Sequence, residues 1–432
     1  MLPAETLIEK LDQYHDEGVR YLSAFAQQAE QVAPRRFKGA EVLDFLGIRY
    51  LQQIYHAEQQ GYLPAPDRGA NNQRLGYTLE QLLIMRQTLG LTPWFQANKA
   101  AVISFTNFKG GCWKSTSAWH AATYYANRGC RVLIVDLDPQ ATLSKNVGLQ
   151  PDLKLGFDDT LGNALLSGEE IHPEEVRRLI KSTYLPNMDV IGSCLELAGV
   201  EFALVNALMR ARTQNLDDDA VRCFFRVKLA LEAVTSDYDV VVLDGTPSLG
   251  LLPLNIVFGS DHVITPTPTE IVDYSSTLAF CAMLSEQLGI LSHYFGSDFA
   301  VPHIAFMPTR FNPSEKSATR GSQVALSLIR RTFKEDAMTN AICKHEAAIS
   351  NLTAFGRTVY DVNPNTCNVT RLQRKRAMEN FNSVFNEIHE KLVVPSWEGT
   401  SRDGEIADDL VPITALADLA ANLEPELAEA EA

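Results

Sequence analysis

The sequence predicts an α/β protein in which a mostly parallel sheet is flanked by helices, with a smaller helical domain in front of it. Three apolar runs carry this prediction, each of a length that suits one buried strand. Residues 100–103 lead directly into a glycine-rich segment, and two later runs end at Asp136 and Asp244. Continuous apolar runs are typical of parallel strands covered on both faces, and ligand-binding groups gather at the carboxyl ends of such strands.

The segment after the first run, residues 105–116, has the composition of a phosphate-binding loop. It lies between a predicted strand and a helix-compatible segment, so glycine amides and a helix N-terminus can surround an anion. Lys114 supplies a positive charge for the β- and γ-phosphates, and Ser115 supplies a hydroxyl for Mg²⁺. A second lysine, Lys109, stands at the front of the loop, and Trp113 occupies a place where the usual pattern has glycine.

Carboxylates at the ends of the other two runs extend this site. Asp136 and Asp138 follow the second run, and we expect both on the nucleotide side of the sheet. Asp244 ends the third run, where a single carboxylate orders Mg²⁺, usually through water. An alternative interpretation of Asp138 is that it caps the following helix.

Together these motifs resemble those of the ParA/MinD group of ATPases, and the resemblance covers roughly residues 98–390. The fold that it implies is that of a P-loop NTPase. The segments that carry it are the deviant Walker A loop at 109–115, the second motif at 136–140, the Walker B strand at 238–250 and a late Phe-Gly segment at 355–360.

The resemblance implies a role for each site residue. Lys114 binds the phosphates, and Lys109 is the signature lysine that reaches the partner's nucleotide across a homodimer. Ser115 ligates Mg²⁺ with Asp244 behind it through water and Asp136 nearby, while Asp138 positions the attacking water. The catalytic residues are thus Lys109, Lys114 and Asp138. The remaining ATP-binding residues are Gly110, Gly111, Cys112, Trp113 and Thr116 in the loop, with Met307, Pro308 and Arg310 beside the adenine.

Length and composition limit the number of domains, the kinds of metal site and the expected location of the protein. At 432 residues with 46% hydrophobic residues, the chain is long enough for two or three domains. The seven cysteines contain no Cys-x-x-Cys pair, which disfavours a zinc or iron–sulfur site. The sequence has no apolar run of transmembrane length and no basic signal region, so we expect a cytoplasmic, nucleoid-associated protein with no membrane partner.

Residues 1–33 show apolar positions at helical spacing, which predicts an amphipathic helix. One interpretation is a dimerisation helix, and the alternative is a helix that packs on its own chain. Residues 34–95 contain two short helices, a Gly/Pro/Asn-rich hairpin and a further helix. This order resembles the winged helix-turn-helix of MerR-type DNA-binding domains, and the alternative is a small helical interaction domain.

Within that domain, the second helix carries the candidate base-reading side chains and the hairpin carries candidate phosphate contacts. Arg and Gln side chains suit guanine and adenine edges respectively. We expect Tyr50, Leu51, Ile54 and Tyr55 to belong to the core. The DNA-binding candidates are Arg49, Gln52 and Gln53 on the helix, and Arg68 and Arg74 in the hairpin.

A second basic cluster opens a predicted helix near the end of the ATPase domain, which is expected to span residues 96–396. Its bases are Arg371, Arg374, Lys375 and Arg376, and they indicate sequence-independent binding to DNA phosphates. The alternative is a solvated helix face. Residues 397–432 are rich in acids and are predicted to form a flexible tail, which accounts for much of the net charge of −15.

These expectations define a partition ATPase with its own DNA-binding domain. ATP would close the dimer and create non-specific DNA binding, and a ParB-type centromere-binding partner would stimulate slow hydrolysis. The N-terminal domain would bind an operator and repress the protein's own operon. The alternative from another class is a transcriptional regulator whose ATP site senses nucleotide and hydrolyses it weakly, an alternative that Trp113 supports. The acidic end of the chain argues against a membrane-cycling MinD-like protein.

Overall fold

A computed structural model describes residues 6–14, 16–18, 20, 35–91, 99–151, 153–167, 171–248, 250–295, 301–312, 318–334, 340–362 and 369–398. The predicted domain boundary at residues 95 and 96 lies outside the described residues, as does the acidic segment beyond residue 398.

One seven-stranded sheet forms the centre of the molecule. Its strands are β1 (Ala101–Phe105), β2 (Val132–Asp136), β3 (Lys181–Ser182), β4 (Met188–Ile191), β5 (Val240–Asp244), β6 (His262–Pro268) and β7 (His303–Thr309). They lie in the order β3-β4-β2-β5-β1-β6-β7, and every neighbouring pair is parallel except β3 with β4. The predicted α/β class with a mostly parallel sheet is therefore confirmed.

Helices surround the sheet and form the domain in front of it. The first, α1 (residues 6–14), precedes both domains. The N-terminal domain contains α2 (Ala40–Leu46), α3 (Leu51–Gln59) and α4 (Leu79–Thr88). The larger domain contains α5 (Lys114–Ala126), α6 (Thr142–Asn146), α7 (Gly162–Leu166), α8 (Pro173–Leu179), α9 (Ala198–Thr213), α10 (Asp217–Arg222), α11 (Arg226–Glu232), α12 (Leu251–Phe258), α13 (Ile271–Phe295), α14 (Ala318–Thr332), α15 (Ala347–Ala354), α16 (Arg371–Ile388) and α17 (Val394–Glu398).

The central strands are buried on both faces, which explains why they are apolar at every position. All five residues of β1, β2 and β5 are buried. Alternate side chains of one strand enter different cores: Ile103 packs with the core that includes α5 and α16, and Val102 packs with the core that includes α12 and α13. Because side chains alternate across a strand, two covered faces require an uninterrupted apolar run.

The N-terminal domain has its helices in the predicted order. Gly47 ends α2 in the left-handed conformation with φ 66°, which glycine adopts without a steric cost. The backbone of Tyr50 is extended, so α3 begins only at Leu51. A hairpin follows, in which Arg68 and Arg74 form an antiparallel bridge.

Arg35 joins the N-terminal domain to the larger domain. Its backbone N–H donates to the Asp361 carbonyl, and its guanidinium donates to the Tyr360 carbonyl at 2.9 Å and pairs with Glu41. The apolar residues of the N-terminal domain, such as Phe45, belong to the same buried cluster as those around α5 and α16. Movement of one domain against the other would therefore expose apolar surface.

Two predictions concern the helices at the two ends of the described residues. The four large apolar side chains of α1, which are Leu7, Ile8, Leu11 and Tyr14, are exposed, so the interpretation that this helix packs on its own chain gains no support from the described residues. The predicted start of the tail at residue 397 is wrong. Trp397 is buried in α17, and its indole N–H donates to the Asp239 carbonyl at 2.9 Å.

Candidate functional site

The loop between β1 and α5 has the backbone shape of a phosphate-binding loop. Gly111 and Trp113 both have positive φ angles, 70° and 75°, and Lys114 is the first residue of α5. A bulky residue resists this left-handed conformation, at a cost of about 1–3 kcal/mol. The backbone at position 113 therefore takes the conformation expected of glycine even though tryptophan occupies it.

Lys114 is buried and lies against the loop itself. Its Nζ donates to the Lys109 carbonyl at 2.8 Å, and the Cys112 thiol donates to the same carbonyl at 3.1 Å. Burial raises the pKa of the Cys112 thiol, so it remains a protonated donor and not a reactive thiolate. This supports a packing role for Cys112.

Side chains from the end of β7, from the residue after it and from the segment that pairs with residue 311 contact the loop. The Thr309 hydroxyl donates to the Cys112 carbonyl at 3.3 Å, and Arg310 Nη1 donates to the Gly111 carbonyl at 3.4 Å. The Trp113 indole stacks on the imidazole of His345 with ring centroids 5.9 Å apart and planes 30° apart. Backbone pairing between residues 311 and 344 places His345 there, so no local sequence signal marks it.

The predicted strand-end carboxylates meet at the carboxyl edge of the sheet. Asp244 pairs in register with Phe105 on one side and with Asp136 on the other. Asp244 is fully buried, and neither carboxylate oxygen has a hydrogen-bond partner of good geometry among the described residues. Burial and the neighbouring Asp136 carboxyl raise its pKa well above the usual range, which Ser115 and Lys114 only partly oppose.

This arrangement fits a divalent cation. A buried carboxylate without partners is unfavourable by itself, and a cation bound there would compensate its charge. The Ser115 hydroxyl and Asp244 supply the oxygen ligands that Mg²⁺ prefers. The described residues contain no group of three or more His, Cys, Asp or Glu side chains that could hold a metal ion.

Asp136 is not an open metal ligand. Its Oδ2 accepts hydrogen bonds from the Ser144 hydroxyl at 2.7 Å and the Ser144 amide at 2.8 Å, and its Oδ1 accepts from the Asp138 amide at 3.1 Å. Burial raises its pKa to about 6, which these donors partly oppose. These hydrogen bonds fix the end of β2 against α6, and the placement of Asp136 near the metal stays a prediction.

Asp138 lies beside the loop and is nearly buried. Its Oδ1 accepts from the Gln140 amide at 3.0 Å, and burial raises the pKa of the carboxyl while Lys114 and Lys145 lower it. The alternative interpretation that Asp138 caps α6 is not what the structure shows, because Asp136 accepts the Ser144 amide in the first turn of that helix. Asp138 stays a candidate for orienting water.

Lys109 forms an ion pair that the sequence did not indicate. Its Nζ lies 3.1 Å from Oδ1 of Asp273 in the first turn of α13. Arg310 lies near the same carboxylate, and its Nη2 is 3.3 Å from Oε1 of Glu270. Glu270, Arg310 and His345 line a cavity of about 520 Å³ beside the loop.

The three residues predicted beside the adenine differ in their exposure. Met307 and Pro308 lie within β7, not after it, and both are buried in the sheet, which corrects their placement beside an open site. Proline is tolerated because β7 is the last strand of the sheet and has a partner on one side only. Of the three predicted residues, only Arg310 lines the cavity.

The candidate DNA-binding residues of the N-terminal domain differ in their solvent exposure and in their position relative to α3. Arg49 is exposed but precedes α3, so its predicted place on that helix is wrong, and Gln52 is exposed while Gln53 is half-buried. Of the predicted core residues around it, Ile54 is buried, whereas Tyr50 and Tyr55 are exposed, so the prediction for the two tyrosines is wrong.

The two hairpin arginines also have different surroundings. Arg68 is exposed, and its guanidinium donates to the Asn72 carbonyl at 3.1 Å. Arg74 pairs with Glu58 at 2.7 Å and lies over the Tyr55 ring. A phosphate would therefore have to compete with Glu58 for Arg74.

The basic cluster at the start of α16 has three exposed members. Arg371, Lys375 and Arg376 are exposed, and Lys375 lies 3.7 Å from Glu379. Arg374 is buried, and desolvation lowers its pKa to about 10. The prediction that Arg374 binds DNA is therefore corrected, because its guanidinium faces the protein interior.

Comparisons with known proteins agree with this site. Residues 100–283 match a family model described as an AAA domain. Protein SopA of Escherichia coli (strain K12) is 32% identical over 410 residues, which cover 91% of this chain and 99% of SopA. The chromosome partitioning protein ParA of Myxococcus xanthus is 28% identical over 273 residues, 63% of this chain and 85% of that protein. A solved structure of a partition protein shares the fold, with a TM-score of 0.58 at 19% identity over 87% of this chain and 98% of its own.

The glycine-rich loop, the parallel sheet and the strand-end carboxylates define a P-loop ATPase. The similarity to SopA extends over nearly the whole of both chains. The chain therefore belongs to the ParA-type family of plasmid and chromosome partition ATPases. Among the described residues, no helix combines the length and the apolar character needed to cross a bilayer.

Proposed function

We propose that this protein segregates DNA through a cycle of Mg²⁺-dependent ATP binding and slow hydrolysis. The observation that carries the proposal is the buried carboxylate of Asp244 at the carboxyl edge of the sheet, beside Ser115 and Lys114. Neither of its oxygens accepts a hydrogen bond of good geometry among the described residues. Such a group is unfavourable unless a cation is bound, and the adjoining loop has the backbone conformation that suits phosphate.

In this proposal the loop amides and Lys114 bind the phosphates. Lys114 exchanges the Lys109 carbonyl for phosphate oxygens, which are stronger acceptors for an ammonium group. Ser115 and, through water, Asp244 would hold Mg²⁺, which neutralises phosphate charge when bound. Asp138 orients the attacking water, and Lys109 of a second copy stabilises charge on the transferred phosphoryl group.

DNA binding takes place at two surfaces. The ATP-bound homodimer binds DNA without sequence preference through Arg371, Lys375 and Arg376, which are exposed at the start of α16. The N-terminal domain binds an operator through residues around α3 and the hairpin and represses the protein's own operon. A ParB-type centromere-binding protein stimulates hydrolysis and so releases the dimer, and α1 contributes to dimerisation through its exposed apolar residues.

A second candidate is a transcriptional regulator that binds ATP but hydrolyses it weakly. The strained backbone of Trp113 next to Lys114 favours it, because the side chain restricts how the loop can adjust during the reaction. The rate of ATP hydrolysis decides between them, measured alone, with DNA, and with DNA plus the protein encoded by an adjacent downstream gene. Partition predicts stimulation by both additions, whereas a regulator predicts a low rate that neither changes.

A further inference from the structure

Lys109 has a charged partner within its own chain. Its Nζ lies 3.1 Å from Oδ1 of Asp273, whose side chain is only 6% exposed, whereas the lysine side chain is 38% exposed. A buried carboxylate is stable as an anion only when a cation or hydrogen-bond donors compensate it. Lys109 therefore stabilises Asp273 at the base of α13.

Arg310 is a second cation within reach of the same carboxylate. Its Nη1 lies 4.0 Å from Oδ2 of Asp273, and its Nη2 lies 3.3 Å from Glu270. The same guanidinium donates to the Gly111 carbonyl in the phosphate-binding loop. If Lys109 leaves, a short movement of Arg310 can therefore restore a partner to the buried carboxylate.

The ion pair lies beside an exposed apolar surface. Ile271 and Val272, the two residues that precede Asp273, are 53% and 71% exposed. Lys109 has a single ammonium group on a flexible stem, and a phosphate bound to another chain would attract the same positive charge that compensates Asp273. The two partners of Lys109 must therefore compete.

We propose that Asp273 is a positioning residue that keeps Lys109 within its own chain until a nucleotide-bound second copy displaces it. This inference rests on the proposed function, in which Lys109 acts across the dimer. Asp273 lowers the affinity of the dimer, because the ion pair must break before the lysine can cross. Arg310 then takes over the charge of Asp273, which links dimer formation to the segment after β7.

The experiment measures how much nucleotide the full-length chain needs in order to dimerise. Sedimentation velocity at increasing concentrations of a non-hydrolysable ATP analogue with Mg²⁺ gives the half-maximal concentration for the wild type and for Asp273→Asn. Loss of the partly exposed pair is expected to lower this concentration about threefold to tenfold, since tenfold corresponds to about 1.4 kcal/mol. Asp273→Glu keeps the charge, so its half-maximal analogue concentration should lie close to that of the wild type.

Glu270→Gln is the matched control. It removes an equal charge three residues earlier, and Glu270 pairs with Arg310 and not with Lys109. The half-maximal concentration for Glu270→Gln should stay within about twofold of the wild type. Equal shifts in the Asp273→Asn and Glu270→Gln chains would overturn the inference, because a general change of charge would then explain both.

A double-mutant cycle in the absence of nucleotide tests the ion pair separately. Lys109→Ala should lower the thermal unfolding midpoint of the wild type more than that of Asp273→Asn, because only the wild type still has the buried carboxylate whose nearest cation is removed. Equal decreases would show that the pair does not form in solution. A wild type that stays monomeric at saturating analogue would contradict the proposed function instead, so the two failures are distinguishable.

Discussion

Asp136 and Asp244 are register partners at the ends of β2 and β5, yet their carboxylates have opposite surroundings. Asp136 accepts three hydrogen bonds from Ser144 and the Asp138 amide. Asp244 accepts none of good geometry among the described residues. One carboxylate is therefore committed to the fold, and the other is available to a cation.

This difference predicts opposite effects of the same substitution. Asp244→Asn removes an uncompensated buried charge, so the unfolding midpoint should stay equal or rise while Mg²⁺-dependent ATP hydrolysis falls about 100-fold. Asp136→Asn replaces an acceptor of three hydrogen bonds and should lower the free energy of unfolding by about 2–4 kcal/mol. Thermal unfolding and hydrolysis assays on the same preparations check both effects. Normal turnover by Asp244→Asn would refute its proposed role.

His120 predicts a pH dependence of stability that is separate from the metal site. It is fully buried in α5, its ring stacks on Phe381 at 4.2 Å, and burial lowers its pKa to about 4. The unfolded chain binds a proton near pH 6.5, whereas the folded chain does not, so stability falls as the pH is lowered from 6.5 towards 4. Binding of this one proton to the unfolded chain lowers the free energy of unfolding by about 2 kcal/mol between pH 6.5 and pH 5.

Denaturant unfolding at pH 7 and pH 5 checks this sign. The wild type should lose more stability between the two values than His120→Gln does. His172→Gln is the matched control, because His172 is exposed. An identical loss in all three chains would show that His120 does not titrate as its burial requires.

Trp113 predicts a separation of ATP binding from turnover. Trp113→Gly relieves the positive φ of 75° but removes the stack on His345, and each effect is worth about 1 kcal/mol. Equilibrium binding of ATP should therefore change little, while the hydrolysis rate changes because the loop is less restrained. His345→Ala, the comparison variant, loses the stack and keeps the strain. Loss of ATP binding in Trp113→Gly would mean that the indole is required and not only tolerated.

The start of α16 predicts a contrast between exposed and buried arginines. Arg371→Ala with Arg376→Ala should weaken binding of the ATP-bound dimer to DNA of any sequence. The slope of log affinity against log salt should fall by about four, because two phosphate contacts are lost in each of the two copies. Arg374→Met should leave this slope unchanged, since Arg374 is buried. Titrations at several salt concentrations measure the slopes. An equal reduction in both variants would contradict the assignment.

Local sequence patterns predicted the centre of the site because its parts are local. An apolar run followed by glycines and lysines indicates strand, loop and helix within about 25 residues. Helical periodicity could also have shown that Arg374 faces inward. It lies on the stripe that continues with the buried residues Ala377, Phe381, Val384 and Ile388.

Other parts of the site depend on packing between distant segments. Asp273 and His345 contact the loop only because α13 and the segment beside β7 reach it in the folded chain. Met307 and Pro308 lie within β7 and not beside an open site, because the edge position of this strand tolerates proline. A single sequence does not state which strand lies at an edge.

The claim that the ATP site is complete only in a dimer is tested most directly by mixing two inactive chains. Lys109→Ala lacks the lysine that acts in trans, and Asp138→Ala lacks the carboxylate that acts in its own chain. If Lys109 acts across the dimer, an equal mixture should recover about a quarter of the wild-type hydrolysis rate, because half of the dimers are mixed and each of these has one complete site. A mixture no faster than the mean of the two variants alone would contradict the account.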